Sequence, residues 1–433
     1  MGKSHSGNRR KKTKGRGWIW GIAAAAVLLI LAGMVYWFLI RGDRAGADRP
    51  GAGERQEREG ETVKTDTQEE QQETPVGEPE NPAAVKVSEI MDSLSLEEKV
   101  CQMFMVTPEA LTGVECATQA GEATREAFNA YPVGGIIYFS QNLIGPEQTR
   151  TMLMNTQSYA RERSGFPVFL SVDEEGGTVA RVGSNPAFGV PVFGNMSDVG
   201  SRGDEQEAYE IGSEIGAYLS SLGFNMDAAP DTDVLTNPAN EVVRYRSFGS
   251  DPALVSRMAA AELRGLNDQG IIGMYKHFPG HGGTTADSHE GYVYVEENLD
   301  QLKSQALVPF QNGIDDGVRV IMVSHIACPN VTGDNTPATL SKTLITDLLR
   351  EEMGFDGMVI TDALNMGAIT EQYTADQAAV NAVLAGADML LMPADFQTAY
   401  QGILNAVAEG TLTEERINDS VRRILEIKAE MAE

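Results

Sequence analysis

Short apolar runs alternate with longer amphipathic segments along most of this chain, and this alternation constrains its fold most. The runs are rich in β-branched residues and are typical of buried strands. They lie at Met103–Val106, Gly135–Phe139, Pro167–Val172, Asn225–Ala229, Gly273–His277, Arg319–His325, Met358–Thr361 and Met389–Met392. Segments with helical periodicity include Glu205–Leu222, Pro252–Leu266, Lys342–Met353, Asp376–Ala385 and Glu414–Met431. Eight strands separated by helices predict an α/β fold, the (β/α)8 TIM barrel, although a doubly wound open sheet has the same alternation.

A barrel of this kind assembles its site from residues at the carboxyl ends of several strands. A polar residue that ends one strand is ordinarily just entering solvent. Here six polar or charged residues end an apolar run or follow it closely, namely Asp173, Asp227, Lys276, His277, His325 and Asp362. We therefore expect a functional site at that end of the barrel.

The first 82 residues differ in composition from the rest and predict three segments. Residues 1–16 are basic and are expected to be a cytoplasmic tail. Residues 17–40 contain an uncharged apolar run, Trp18 to Ile40, which as a helix would extend about 35 Å and cross a bilayer as a signal-anchor. Residues 41–82 are rich in Glu, Gln, Gly and Pro and predict a disordered, flexible acidic linker.

This organisation places the remaining domain, residues 83–433, outside the membrane of a bacterial cell as a single-pass protein. Ser95-Leu96-Glu97-Glu98 has the spacing of a capping box and predicts the start of a helix there. A cleaved signal peptide is the alternative to the anchor, with Ala45-Gly46-Ala47 as a small-x-small cleavage site. Lipidation is not expected, because Met34 stands where a lipoprotein box needs cysteine.

Charge and cysteine content limit the partners of the domain. The net charge is −28, and the basic N-terminal tail leaves the remainder more negative still, which argues against nucleic acid because phosphates are bound by Lys and Arg. The three cysteines, Cys101, Cys116 and Cys328, have no metal-type spacing. We interpret them as three reduced, mostly buried thiols, with one disulfide and one free thiol as the alternative.

Three of the five histidines lie within one short segment, at His277, His281 and His289. His277-x3-His281 has the spacing of a helical zinc site, but Pro279-Gly280 marks a turn and argues against a continuous helix; loop ligands stay open as an alternative. Asp287-x-His289 suggests a proton-transfer pair, because a neighbouring carboxylate orients an imidazole and tunes its pKa near neutrality.

The segment Lys276-His277-Phe278-Pro279-Gly280-His281-Gly282, continuing to Asp287-Ser288-His289, closely resembles the signature of glycoside hydrolase family 3, specifically its β-N-acetylglucosaminidases. The resemblance extends from about Leu94 to the C-terminus. Further matching segments are Ser171–Gly177 with Arg181, Asn225–Pro230, Arg246–Gly249 and Val359–Met366. Two positions depart from the common pattern, Gly283 and Tyr245, and they concern loop conformation and preference for the leaving group.

The resemblance implies roles for eight residues. Asp362 is the expected nucleophile, and His289, oriented by Asp287, the expected general acid/base. The residues expected to hold the terminal sugar are Asp173, Arg181, Arg246, Lys276 and His277. No cofactor and no metal are implied.

The implied activity is that of a retaining exo-β-N-acetylhexosaminidase that removes terminal β-linked N-acetylglucosamine, with peptidoglycan fragments (muropeptides) as the expected substrates. One alternative is a phosphorylase or another family 3 β-glycosidase, because a histidine acid/base does not repel phosphate as a carboxylate would. An alternative of another class is an inactive protein that binds wall glycan. The presence of all three expected catalytic residues argues against this alternative.

Overall fold

Eight short parallel strands occupy the eight apolar runs of the sequence. The computed structural model describes residues 82–284 and 291–431, with side chains from residue 86 onward. The strands are β1 Phe104–Val106, β2 Gly135–Ile137, β3 Phe169–Val172, β4 Met226–Asp227, β5 Tyr275–Phe278, β6 Val320–Val323, β7 Met358–Thr361 and β8 Leu390–Leu391. They are buried throughout, as expected for parallel strands covered on both faces.

The strands close into a ring. Five of them pair in the order β8-β1-β2-β3-β4, and three pair in the order β7-β6-β5. Parallel bridges join the two groups at both seams, between Met226 and Ile272 next to β5 and between Ile360 and Met389 next to β8. Each strand therefore has its sequence neighbours beside it, which is the (β/α)8 barrel rather than an open sheet.

Helices connect the strands and surround the ring. They are Pro82–Ser93, Leu96–Gln102, Pro108–Thr112, Glu122–Ala130, Pro146–Ser164, Met196–Arg202, Glu205–Leu222, Pro252–Asp268, Leu299–Ser304, Val308–Asp315, Pro329–Thr332, the π-helix Thr343–Glu352, Gly367–Thr370, Ala375–Ala385, Phe396–Ala408 and Glu414–Glu430, with 3-10 turns at Ser140–Asn142 and Ala338–Leu340. The five helices predicted from periodicity are confirmed to within two residues. The capping box is confirmed as well, since Ser95 and Glu98 each bond the other's backbone N–H.

We call the end of the barrel at the amino ends of the strands the base. Helix Leu96–Gln102 leads into β1 there, and the C-terminal helix Glu414–Glu430 contacts segments that precede several strands. Its Lys428 donates to Gln102, its Arg416 donates to the carbonyl of Ala387 before β8, and its Glu430 pairs with Arg319 before β6. Helix Pro82–Ser93 packs against this same helix, so it also belongs to the base.

We call the opposite end, formed by the loops that follow β1–β8, the mouth. Directly after β3, strand Glu174–Gly176 turns back and pairs antiparallel with Val179–Ala180. After β5 and β6, strand Val293–Tyr294 pairs parallel with Ile326–Ala327. These short pairs add backbone hydrogen bonds to loops that would otherwise have few, and they give the mouth a defined shape.

The predicted basic tail, anchor and most of the acidic linker lie outside the described residues. Among the helices that the structure describes, none has both the length and the apolar character needed to cross a bilayer. The cysteines are free thiols, as predicted, with Cys101 and Cys328 buried and Cys116 exposed. Burial raises the pKa of both buried thiols to about 12.

Candidate active site

The carboxyl ends of the strands surround a cavity of about 280 Å³ at the mouth. One half of its lining is charged and the other half is apolar. Six of the eight residues proposed from the sequence line it together: Asp173, Arg181, Arg246, Lys276, His277 and Asp362. These residues are Asp173 and Arg181 after β3, Arg246 in the loop after β4, Lys276 and His277 in β5, and Asp362 after β7. Residues far apart in sequence thus converge as the barrel prediction requires.

The segment after β3 is fixed by a buried carboxylate, Glu174. Its oxygens accept hydrogen bonds from the backbone N–H groups of Arg181, Val182 and Gly183 at 2.6–2.7 Å and from the Tyr218 hydroxyl at 2.8 Å. Burial raises the pKa of Glu174, an effect that these bonds only partly oppose. Glu174 thereby fixes the start of the hairpin formed by strands Glu174–Gly176 and Val179–Ala180 to the residues that follow it.

The tip of this hairpin depends on glycine. Gly176 and Gly177 have φ of +80° and +55°, a left-handed region that other residues enter only at an energetic cost. The turn returns the chain toward β3, and the Arg181 guanidinium lies 3.7 Å from the Asp173 carboxylate. The turn at Gly176-Gly177 thus places the carboxylate of Asp173 and the guanidinium of Arg181 side by side on one wall of the cavity.

Lys276 and Arg246 are linked through a single buried acid, Glu175. Arg246 donates two hydrogen bonds of 2.7 Å to Glu175, and Lys276 Nζ lies 2.5 Å from the same carboxylate and 3.2 Å from Asp173. Burial alone would raise the pKa of Glu175, but the two cations outweigh it and lower that pKa below its usual range. The pKa of Lys276 is raised by the same pairing despite its burial. These groups are therefore charged at neutral pH.

His277 is oriented from behind by Asp233. Its Nδ1 donates to Asp233 at 2.8 Å, and its Nε2 lies 3.2 Å from an Arg246 nitrogen. Because guanidinium can only donate, Nε2 must accept, and His277 is the neutral tautomer with its proton on Nδ1. Burial would raise the pKa of Asp233, yet His277 and the backbone N–H of His281 hold it below its ordinary value. Asp233 thus sets the direction and tautomer of a ring that faces the cavity.

Asp362 follows β7 and is half-buried at the cavity edge. Its backbone N–H bonds the carbonyl of Val323 on β6, and its Oδ1 accepts from the N–H of Ala363 at 2.7 Å. A carboxylate held beside an enclosed space that is large enough for one sugar ring is suited to nucleophilic attack or electrostatic stabilisation.

The apolar half of the cavity comes from β2, β6 and β8. It includes Ile137, Phe139, Met322, Leu391 and Met392. Met392 has φ +46°, the one non-glycine residue with positive φ in the described ranges, and Arg181 lies over the Phe139 ring at 5.8 Å. A cavity with one charged wall and one apolar wall suits a sugar, whose hydroxyls and C–H faces need different surroundings.

Two of the six predicted strand-end residues do not line the cavity. Asp227 is buried beneath it and accepts from the N–H of Glu174 at 2.9 Å, so it supports the hairpin; burial raises its pKa. His325 bonds the hydroxyl of Thr339 and the carbonyl of Ala363, next to Asp362. These two residues, which were given no individual role from the sequence, bond supporting loops rather than line the cavity.

The predicted acid/base pair, Asp287 and His289, lies outside the described residues. The residues up to Thr284 that precede the pair are described. Strand β5 ends there at Phe278, so the two histidines of His277-x3-His281 do not share a helix. Their rings pack edge to face at 5.8 Å. The turn expected from Pro279-Gly280 is confirmed.

One group of buried side chains has the composition of a metal site. One ligand atom each from Asp231, Asp233 and His277 lie within 4.8 Å of one another. The Arg246 guanidinium, however, lies 3.4 Å from Asp231 and contacts His277 as well, so a permanent cation already adjoins these groups. We assign this cluster to orientation of His277 and Arg246.

Sequence reasoning missed three residues of the site: Glu175, Asp231 and Asp233. Glu175 lies within the segment Ser171–Gly177, but the sequence pattern assigns it no role, since its partners Arg246 and Lys276 are distant in sequence. Asp231 and Asp233 stand just beyond the fourth apolar run, so a search that extended a few residues past each strand would have found them.

Most of the chain matches a known protein family. The model of the "Glycosyl hydrolase family 3 N terminal domain" matches residues 95–427. The β-hexosaminidase A of Pseudoalteromonas piscicida is 33% identical over 71% of this chain and 55% of its own length. The β-hexosaminidase LpqI of Mycobacterium tuberculosis is 32% identical over 82% of this chain and 88% of its own.

A solved structure agrees in fold. The family 3 β-N-acetylglucosaminidase from Paenibacillus sp. superimposes with a TM-score of 0.74 and 39% identity, covering 78% of this chain and 63% of that one. The chain thus spans little more than half the length of the Pseudoalteromonas relative and under two thirds of the Paenibacillus protein.

Proposed function

Since this chain belongs to glycosyl hydrolase family 3, we propose that it is a retaining exo-β-N-acetylhexosaminidase that hydrolyses terminal β-linked N-acetylglucosamine. The observation that carries the proposal is the convergence of Asp362 with Asp173, Arg181, Lys276 and His277 on one sugar-sized cavity. The names of the relatives, β-hexosaminidases and a β-N-acetylglucosaminidase, support the choice of sugar.

The proposed reaction is a double displacement. Asp362 attacks the anomeric carbon and forms a glycosyl ester, while the leaving oxygen takes a proton from His289. The same His289 then takes a proton from water, whose oxygen replaces Asp362 and restores the carboxylate. Asp287 orients His289 and stabilises its protonated form.

The charged wall would hold the hydroxyls that lie away from the reacting carbon. Lys276, Arg246 and Arg181 donate and Asp173 accepts, while the ring of His277 lines the same cavity with its Nε2 accepting from Arg246. Glu175 holds Lys276 and Arg246, Asp233 holds His277, Glu174 fixes the backbone of Arg181, and Lys276 pairs with Asp173. These groups are therefore in place before substrate arrives, which lowers the entropy cost of binding.

We further propose that residues 17–40 anchor the chain, that residues 41–82 tether the domain 83–433 outside the membrane, and that muropeptides are the substrates. The apolar run, the basic tail before it and the acidic linker after it support this location.

The test is an assay of the full chain, purified in detergent, on defined muropeptides and on 4-nitrophenyl β-N-acetylglucosaminide. We expect release of N-acetylglucosamine with the β configuration, identified by mass and by NMR of the first product. Parallel reactions with phosphate distinguish hydrolysis from phosphorolysis, since the phosphorylase would give the sugar 1-phosphate. Binding of glycan without any turnover would support the inactive receptor and overturn the proposal.

A further inference from the structure

The segment that carries the proposed acid/base pair begins at a stem, residues 281–284, whose contacts come mainly from one loop. That loop, residues 228–251, follows β4 and carries Arg246 near its end; we call it the β4 loop. Asp233 accepts from the N–H of His281 at 2.5 Å, and the N–H of Asn237 donates to the carbonyl of Gly282 at 3.0 Å. A Cβ on Gly282 would lie 1.9 Å from the carbonyl oxygen of Val234, so the two backbones pack in direct contact.

Two asparagine side chains complete these contacts. The Nδ2 of Asn240 donates to the carbonyl of His281 at 2.8 Å and to the hydroxyl of Thr284 at 3.1 Å. The Nδ2 of Asn237 donates to the carbonyl of Thr284 at 3.0 Å. Thr284 comes three residues before Asp287 in the sequence, so both asparagines act on the stem immediately before the segment of the pair.

The other end of the Asn240 amide holds the Arg246 turn. Its Oδ1 accepts from the N–H groups of Val242 and Val243, both at 2.9 Å, and the carbonyl of Val243 accepts from the N–H of Arg246. Asn240 is only 1% exposed, and its amide makes four hydrogen bonds, all of them to these two segments. One buried amide therefore connects the sugar-holding arginine to the stem of the acid/base segment.

We infer that Asn240 is a positioning residue for the general acid/base, acting through the stem 281–284. This inference rests on the proposed function, because it takes His289 as the acid/base. A carboxylate in place of the amide would keep the acceptor for Val242 and Val243 and lose the donor to the stem. Asn240→Asp therefore separates the two halves of the contact without removing the side chain.

The consequence is a loss that depends on the leaving group. An alkoxide leaving group needs a proton from a well-placed acid, whereas 2,4-dinitrophenolate leaves without one. We expect Asn240→Asp to lower kcat/KM about 100-fold on the unactivated disaccharide N,N′-diacetylchitobiose, and less than about 3-fold on the 2,4-dinitrophenyl β-N-acetylglucosaminide. Azide, which attacks without losing a proton, should raise kcat of the variant on the aryl substrate and yield the glycosyl azide.

The control is Asn225→Asp. Asn225 has the same bonding pattern near the base end of β4, with its Oδ1 accepting from Leu170 and its Nδ2 donating to Val168. We expect this variant to lose stability and to keep the same ratio of activities on the two substrates. Asn237→Asp, which loses only the contact with the carbonyl of Thr284, should show a smaller loss of the same selective kind and serves if Asn240→Asp does not fold.

An equal loss on both substrates, or no azide effect, would overturn the inference and assign Asn240 to sugar binding or to stability alone. Failure of the proposed function is distinguishable from this, because the unmutated chain would then release no sugar from either substrate.

Discussion

Two fully buried lysines lie at opposite ends of the barrel, and their surroundings differ in kind. At the mouth, Lys276 lies within 3.2 Å of both Asp173 and Glu175. At the base, Lys428 donates to the amide oxygen of Gln102 at 2.7 Å and lies about 5 Å from the rings of Phe166 and Phe169. None of these three partners of Lys428 is a carboxylate.

The difference shifts the pKa of the two lysines in opposite directions. Burial would lower the pKa of both, but at the mouth Glu175 and Asp173 outweigh it and raise the pKa of Lys276. At the base, burial acts alone and lowers the pKa of Lys428 well below its ordinary value. The charge of Lys276 is thus compensated by carboxylates at the cavity wall, whereas the burial of Lys428 lowers the stability of the fold when that lysine is protonated.

The base also holds the converse case, an acid surrounded by cations. Asp388 is fully buried and contacts the guanidinium groups of Arg350, Arg416 and Arg423, the Ser420 hydroxyl and the N–H of Val359. Most of the other donors of these arginines go to backbone carbonyls before β7 and β8. The cluster joins the C-terminal helix to the amino ends of two strands, whereas the cavity lies at the carboxyl ends of those strands.

The largest expected effect is at the mouth. Replacing Asp362 with asparagine removes the proposed nucleophile, and we expect kcat to fall by at least about 10³-fold. The melting temperature should change little, because Asp362 is half-buried and the amide keeps the oxygen that accepts from Ala363. Steady-state kinetics and calorimetry check both halves. Retention of ordinary activity would remove Asp362 from its role.

The next effect belongs to the base. Asp388→Asn leaves three largely buried guanidinium groups without their common anion, and we expect a loss of about 3–5 kcal/mol in the free energy of unfolding. Activity per folded molecule should be unchanged, which denaturant titration and active-site titration would check. A loss of activity without loss of stability would show that the two ends of the barrel are not independent.

The smallest effect sharpens the contrast between the lysines through pH. Burial lowers the pKa of Lys428 in the folded protein. Above the unfolded lysine pKa of about 10.4, Lys428 is neutral in both states and its charge costs no stability; the cost grows as pH falls toward the folded pKa. Lys428→Met should therefore be as stable as the parent or more so near pH 7, with an advantage that shrinks as pH rises toward about 10.4.

Lys276→Met should behave oppositely. The folded pKa of Lys276 is raised, so its contribution is fully present below about 10.4 and is lost only above that. We expect this variant to be less stable than the parent by an amount that is constant between pH 7 and 10, and to lose sugar binding. Thermal unfolding at a series of pH values measures both variants. A parallel pH response of the two would contradict the assignment of their charges.

The strands and several helices could be predicted closely from the sequence because each depends on a local pattern. The run Met358–Thr361 was located without error, and Glu205–Leu222 likewise, since apolar spacing alone determines which residues face the core. The site residues that end a strand, such as Lys276 and Asp173, could be found by the same reasoning.

The supporting residues could not be predicted because their meaning depends on partners distant in sequence. Asn240 and Asp233 look like ordinary loop residues until the stem 281–284 is placed against them. Lys428 looks like a favourable cation in the last turn of a helix, and only the packing of that helix onto the base buries it.

The position of the terminal helices has a practical consequence. Helix Pro82–Ser93 packs on helix Glu414–Glu430, and the latter contacts the base, opposite the cavity. A fluorescent protein, an affinity tag or a solid support joined before Pro82 or after Met431 would be attached on the side opposite the cavity. Immobilisation through either end of the domain should therefore leave the cavity open to the solution.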